Sequence, residues 1–448
     1  MRFSMTQALQ QIKNDFALHL DPQALREVCQ AAGYTWRQRL LDPLTTMQLF
    51  VLQILHGNTA VPHLRHLAGL AFTASAYCQA RARLPLDVLQ RLLRRVCHAL
   101  QPDLDDGRWH GHRVFHIDGS SFSMPDTPEL QQQFGQPGGQ RAGCGFPVAH
   151  LLALFHAGTG VLLQVLAAPL RTHDLAQVAT LHPQLQAGDV VVGDRAFCSF
   201  AHVALLALRH LHGVFRLHQR QIVDFTPERP YNAAGKKRLK GLPTSRWLRK
   251  LGVSDQWVEW FKPQERPDWL TVEQYAALPE SLIVRELRYR VNRPGFRTEE
   301  VTLATTLLDA DLYPAAALAE LYRQRWQVEI NLRHLKQTMK MDILRCETEA
   351  GVLKELTVFA LVYNLVRVVM AEAARRQGVA VERISFIDAL RWLADAAPGS
   401  PLPNLVVNPD RPNRVEPRAV KRRPKEYARL NRPRQELRNR LLNKVVKT

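Results

Sequence analysis

The stretch RVFHIDGSS, residues 113–121, decides the reading of this chain: an apolar strand pattern runs into an acid, Asp118, followed by Gly119, Ser120 and Ser121. The pattern predicts a strand over 113–118 with the carboxylate at its far edge rather than in the core. Onward, FPVAHLLALFH (146–156) and VLLQVLAAPL (161–170), separated by the turn AGTG, predict two more strands. DLAQVATLHPQL (174–185) has helical spacing, and DVVVGD (189–194) is a short strand ending in a second acid, Asp194. The helix pattern SFAHVALLALRHL (199–211) and the strand GVFRL (213–217) follow. The order is βββαβαβ, with the first and fourth strands each ending in Asp.

That order matches a ribonuclease H-like fold, in which those two strands lie side by side in one mixed sheet with flanking helices. The expected class is α/β, with such a catalytic domain over 106–350. Ahead of it, LTTMQLFVLQIL (44–55), VPHLRHLAGL (61–70) and VLQRLLRRVCHAL (88–100) predict a helical N-terminal domain over 1–105. There Thr73 or Ser75 can cap a short helix carrying Arg81 and Arg83, a helix-turn-helix arrangement for DNA binding. The plain alternative is an ordinary helix pair with surface arginines.

Residues 219–310 interrupt the pattern with KKRLK, with Trp247, Trp257, Trp260 and Trp269, and with strand patterns on either side of Arg293-Pro294-Gly295. They read as an inserted β-rich subdomain. After Pro314, residues 315–341 predict one long helix, and more helices are expected over 351–400. A basic tail occupies 401–448. From Arg411 onward it holds fourteen Lys or Arg against three Glu, with four prolines, and is expected to be an extended arm for phosphate contact or for wrapping a partner subunit.

The chain has 60 Lys and Arg against 41 Asp and Glu in 448 residues, a net charge of +19 that points to a polyanionic partner. An acidic membrane surface is the weaker choice, since the apolar run Leu356–Val366 is too short to span and reads as a buried helix. The N-terminus shows no export signal, so a cytoplasmic protein is expected. Six cysteines without a C-x-x-C pair argue against disulfides and against a thiolate zinc site. His63 and His66 stand at helical spacing without a second pair to complete a metal site.

Tyr322, Arg325, Glu329 and Lys336 are spaced by three, four and seven residues, which places them within an arc of roughly 60° on one helix face. Beside them Leu321, Val328, Leu332, Leu335 and Met339 form a stripe that buries the helix. Taken alone, Arg325 and Glu329 are an ordinary surface ion pair, Asp118 a turn-forming residue, and Asp194 a partner for Arg195 or Arg216. Together, Asp118, Asp194 and Glu329 are the three acids that a two-metal phosphoryl-transfer site needs. Hard ions such as Mg²⁺ or Mn²⁺ take oxygen ligands, and a pair about 3.5 to 4 Å apart clamps the attacking and leaving oxygens.

Asp118-Gly119-Ser120, Asp194-Arg195-Ala196-Phe197 and the pattern Y-(2)-R-(3)-E-(6)-K, filled by Tyr322, Arg325, Glu329 and Lys336, resemble the DDE transposases of bacterial insertion sequences, specifically the insertion-sequence-4 type. The resemblance covers roughly residues 20–435. It implies a ribonuclease H-like domain with a β-rich insertion between the second Asp and the Glu. It also implies cleavage at transposon ends with two Mg²⁺ or Mn²⁺ ions on Asp118, Asp194 and Glu329, then attack of the freed 3′-OH on target DNA. Tyr322, Arg325 and Lys336 would contact double-stranded end DNA, with Arg195, Arg216 and Arg333 as further candidates. Members often pass through a hairpin with a flipped base stacked on an insertion aromatic, and they assemble as homodimers on paired ends. The competing readings are a nuclease of the same fold without strand transfer and a DNA-binding regulator that has lost catalysis. Tyr322 reads as a DNA contact, since a tyrosine recombinase would need a cluster of basic residues absent here, and a carboxylate-pair glycosidase has no use for the charge.

Overall fold

A computed structural model describes residues 21–100, 107–172, 174–233, 239–291, 300–396, 401–409, 430 and 432–445. The expectations for the tail over 411–429 and for the Arg293 turn fall outside these residues. Among the described residues five helices come first: α1 (Pro22–Ala31), α2 (Pro43–Leu55), α3 (Val61–Ala68), α4 (Ala74–Arg83) and α5 (Leu86–Ala99). Both α1 and α2 start at an Asp-Pro step, where the carboxylates of Asp21 and Asp42 accept from the N–H groups of Ala24 and Thr45, at 2.7 Å each. Proline at the first position lacks a donor where none is needed.

Thr73, not Ser75, caps α4. Arg81 on α4 turns inward: its guanidinium lies 3.9 Å from the Phe50 ring centroid and donates to Gln53 and Cys346. Packing and two acceptors hold the Arg81 charge inside, so of the two arginines only Arg83 is exposed.

Among the described residues nine strands form one sheet: β1 (Val114–Ser123), β2 (Val148–His156), β3 (Leu162–Pro169), β4 (Val190–Gly193), β5 (His212–Arg216), β6 (Arg246–Gly252), β7 (Asp255–Phe261), β8 (Ser281–Arg290) and β9 (Glu300–Thr305). Their order is β3-β2-β1-β4-β5-β9-β8-β7-β6. Strands β1, β4 and β5 run parallel to one another. Helices α6 (Pro128–Phe134), α7 (Asp174–Val178), α8 (Phe200–Ala207) and α9 (Val272–Ala276) lie between strands in the chain. The strands of the 219–310 segment extend the central sheet through the β5–β9 pairing rather than standing apart from it.

β1 does not stop at Asp118. It continues to Ser123 because β2 is long enough to pair with it up to Ser123 opposite Val148. What stops near Asp118 is the parallel neighbour: the last β1–β4 pair is His116 with Val192.

The expected long helix is α10 (Ala315–Gln324), α11 (Trp326–Arg333) and a π turn, His334–Thr338. At the first junction the N–H of Arg325 bonds Tyr322 O and that of Val328 bonds Arg325 O, each three residues back, which tightens the helix. The Met339 N–H reaches His334 O five residues back, which widens it. Leu318, Leu321 and Tyr322 of α10 pack with Val114, Val190, Val192 and Val214, laying this helix over the three parallel strands.

Helix α12 (Glu349–Gln377) runs through the core, followed by α13 (Phe386–Asp395) and α14 (Arg434–Val445). Longer than the apolar run predicts, α12 alone among the described residues is long and apolar enough to cross a membrane, yet 89% of its apolar window is buried in the protein. Two polar side chains join it to its surroundings. Asn364 accepts from Leu162 N at 2.8 Å and donates to Leu162 O at 2.9 Å, closing the start of β3. The buried Glu355 carboxylate accepts from the N–H groups of Arg345 and Cys346 and from Asn58.

Candidate active site

The site is built at the carboxyl ends of the three parallel strands. The β1–β4 pairing sets Val114 against Val190 and His116 against Val192. Carried two residues further, the same register brings Asp118 level with Asp194 on one face of the sheet. The β4–β5 pairing sets Gly193 against Phe215, so one more step brings Asp194 level with Arg216. An acid, an acid and a base thus stand in a row across neighbouring strand ends. Backbone donors orient both carboxylates: Asp118 accepts from Gly119 N at 2.9 Å and Asp194 from Ala196 N at 2.8 Å.

The helical segment closes over this row. Arg325 approaches Asp118 to 3.7 Å and Glu329 to 3.2 Å, and its guanidinium lies 5.8 Å from the Tyr322 ring centroid. About two turns of helix beyond Glu329, Lys336 in the π turn donates to Ser120 at 2.9 Å. Ser120 is two residues beyond Asp118 on β1 and so shares its face. The backbone after the π turn joins in, since Ser123 N bonds Asp342 O and Leu344 N bonds Ser123 O. Ser120 was not singled out from the sequence, although its i+2 relation to Asp118 carries the signal.

Burial pushes the Asp118 carboxyl up to about 6, and the negative charges of Asp194 and Glu329 add to the rise while Arg325 and the Gly119 amide oppose it. Both other acids are thus close enough for Asp118 to feel them. Burial also raises the Tyr322 hydroxyl, partly countered by Arg325 and Arg216. The ordinary ion pair expected between Arg325 and Glu329 is present, but the same guanidinium reaches β1.

The other candidates sit further out. Arg195 is exposed and donates to Gln219 at 3.1 Å rather than pairing with Asp194. Arg333 is exposed on α11. Of the insertion tryptophans, Trp257 donates to Leu308 O and Trp260 to the buried Glu286, and Trp260 also lines a cavity of about 660 Å³ beside Cys198 and Lys262.

A divalent ion is tested by the donor set. Three carboxylates are hard oxygen ligands of the kind such ions take, and burial, with smaller contributions from Asp194 and Glu329, raises the Asp118 carboxyl. Among the described residues no three His, Cys, Asp or Glu are yet gathered tightly around one point. Arg325 bridges Asp118 and Glu329 instead. The residues fit the ions in kind, with Arg325 as the competing cation.

Comparison with known proteins gives the class. The model of the transposase DDE domain family matches residues 109–365, over half of the chain, and the chain belongs to that family of DNA-acting enzymes. Within it, the similarity runs to insertion sequences of bacteria. The chain is 25% identical over 373 residues to the transposase InsG for insertion sequence element IS4 of Escherichia coli K12, covering 79% of this chain and 77% of that one. It is 30% identical over 136 residues to the putative transposase InsZ of the same strain, covering 30% of this chain and 45% of that one. Among solved structures, the piggyBac transposase synaptic complex with hairpin DNA overlaps 88% of this chain and 80% of its own, at 10% identity and a TM-score of 0.40, too loosely to compare sites.

Proposed function

We propose that this chain cleaves DNA at transposon ends and joins the freed 3′-OH to target DNA, with Asp118, Asp194 and Glu329 as the catalytic acids of a ribonuclease H-like domain over 106–350. The observation that carries the reading is the level register of Asp118 and Asp194 on neighbouring parallel strands, with Glu329 linked to Asp118 through Arg325. On this reading residues 1–105 assist DNA binding, 219–310 is the β-rich insertion, and the basic tail over 401–448 contacts phosphates or a second subunit. The protein works as a cytoplasmic homodimer on paired double-stranded ends.

The three carboxylates would hold two Mg²⁺ or Mn²⁺ ions, which when bound lower the pKa of an attacking water or 3′-OH and stabilise the leaving oxygen. The chain's own groups do the rest. Lys336 and Arg216 flank the acids and offer positive charge to the phosphates on either side of the scissile bond. Arg325, freed from the carboxylates, presents its planar fork to a phosphate oxygen. Tyr322, largely buried beneath Arg325, binds the DNA backbone through its hydroxyl and carries no covalent intermediate. Arg195 and Arg333 extend the basic surface outward.

The test is a strand-transfer assay with purified protein, Mg²⁺ and DNA bearing the repeats that flank its gene. Joined product is expected, with Asp118→Asn and Glu329→Gln abolishing cleavage while end binding persists. Nicking without joining would make the protein a nuclease of this fold, and binding without either reaction a regulator; both results overturn the proposal.

A further inference from the structure

Behind β4, on the face of the sheet away from the acids, two buried histidines from separate segments touch. His182, in the connection ahead of β4, and His202, on α8, are 3% and 0% exposed, with their rings 5.3 Å apart and nearly parallel at 13°. Their Nε2 atoms lie 3.3 Å apart, and His202 Nδ1 lies 2.8 Å from the carbonyl oxygen of Phe197.

The chemistry of that carbonyl assigns every proton in the chain. Phe197 O only accepts, so His202 Nδ1 carries the hydrogen and donates it. In a neutral imidazole the other nitrogen is then bare, so His202 Nε2 accepts and His182 Nε2 donates. Burial keeps both rings neutral, pushing His182 down to about 3 and His202 to about 4.

Phe197 ends the turn that Asp194 begins. The Phe197 N–H bonds Asp194 O at 3.3 Å and the Ala196 N–H bonds Asp194 Oδ1 at 2.8 Å, so the carboxylate's direction depends on where Phe197 is held. The turn is also seated on Gly193, where an added Cβ would meet Ile117, Phe197 and Phe215 at 3.0 to 3.1 Å. Phe197 thus packs directly on the backbone of the strand that carries Asp194, with no room for a side chain between them.

We propose that His182 and His202 are positioning residues for Asp194, a donor relay from His182 Nε2 through His202 to Phe197 O that fixes the turn from behind the sheet. This rests on the reading of Asp194 as a metal-holding acid. Supports one bond removed from a ligand are ordinary in metal sites, and here the support is two bonds removed.

The experiment titrates Mn²⁺ into the full chain and reads free ion by electron paramagnetic resonance, with thermal melts alongside, for the wild type, Asp194→Asn, His202→Asn, His202→Gln and His182→Phe. Asn places an amide donor near the Nδ1 position, whereas Gln places its amide near Nε2 and leaves Phe197 O without a donor. His202→Gln is expected to bind Mn²⁺ about tenfold more weakly than wild type, while His202→Asn stays close to wild type. Equal affinities for the Asn and Gln variants, whether both intact or both weakened, overturn the proposal, as does a loss that merely follows the melting temperature. Should His202→Gln fail to fold, His182→Phe keeps an aromatic ring but removes the donor, and an unchanged Mn²⁺ affinity there overturns it equally. If Asp194→Asn binds Mn²⁺ as well as wild type, the assignment of the acids has failed first; a weakened Asp194→Asn beside an intact His202→Gln sinks the relay alone.

Discussion

The guanidinium of Arg325 lies 3.7 Å from the carboxylate of Asp118, across the gap between the helix of Glu329 and strand β1. Even with that cation beside it, the Asp118 carboxyl sits at about 6 against an ordinary 3.8, because burial and two neighbouring acids outweigh one Arg.

The sign of that shift makes a stability prediction. The folded protein holds the Asp118 proton more tightly than the unfolded chain, so this contribution is complete below about pH 4 and is lost as pH rises through about 6. Asp118→Asn, which cannot ionise, is expected to stabilise the protein by on the order of 2 kcal/mol at pH 7.5 and to add nothing at pH 4. Urea denaturation at the two pH values checks it; an equal difference at both would show that charge is not the cause.

Two acids at opposite ends of β4 should behave oppositely. Asp189, at its start, is gripped by Arg113 through bonds of 2.8 and 2.6 Å and takes a third from Gln186 N, with both side chains almost fully buried. Removing one partner of such a pair costs about 3 to 5 kcal/mol, so Asp189→Ala should unfold at markedly lower denaturant. Asp194→Ala should melt near wild type yet lose activity. Similar melting of the two variants would contradict the division.

Asn364 interrupts the apolar core helix because Leu162 at the start of β3 needs both a donor and an acceptor there. Asn364→Leu leaves the buried Leu162 N–H unpaired and its carbonyl with only the Cys97 thiol at 3.5 Å, and is expected to cost about 1 to 3 kcal/mol in calorimetry or denaturant titration. A neutral result would mean that water or a shift of the strand satisfies Leu162.

Lys336 donates to Ser120 on β1, and the proposed function has it meet a phosphate. Lys336→Gln should weaken DNA binding alike across sequences and reduce the slope of log affinity against log salt by about one. Fluorescence anisotropy at several salt concentrations measures this; an unchanged slope removes Lys336 from the interface.

What could be read from the residues alone was local. The acids after RVFHI and DVVVG, and the spacing of Tyr322, Arg325, Glu329 and Lys336, lie within single strands or one helical stretch, where periodicity speaks directly. Register is not local: Asp118 meets Asp194 through pairing between segments 76 residues apart. Likewise, Arg81 looked like a surface arginine until Phe50 and Cys346 took its charge inward. The π turn that carries Lys336 to Ser120 leaves no mark in the pattern of apolar residues, because it changes the helix by a single hydrogen-bond step.

The most direct test of the central claim, that Asp118, Asp194 and Glu329 hold metal at one point, is local backbone cleavage by bound Fe²⁺ with peroxide and ascorbate. Cuts are expected near residues 118, 194 and 329 together, suppressed by excess Mg²⁺ and lost in Asp118→Asn. Cuts at only one of the three segments, or cleavage that Mg²⁺ does not suppress, would contradict the account.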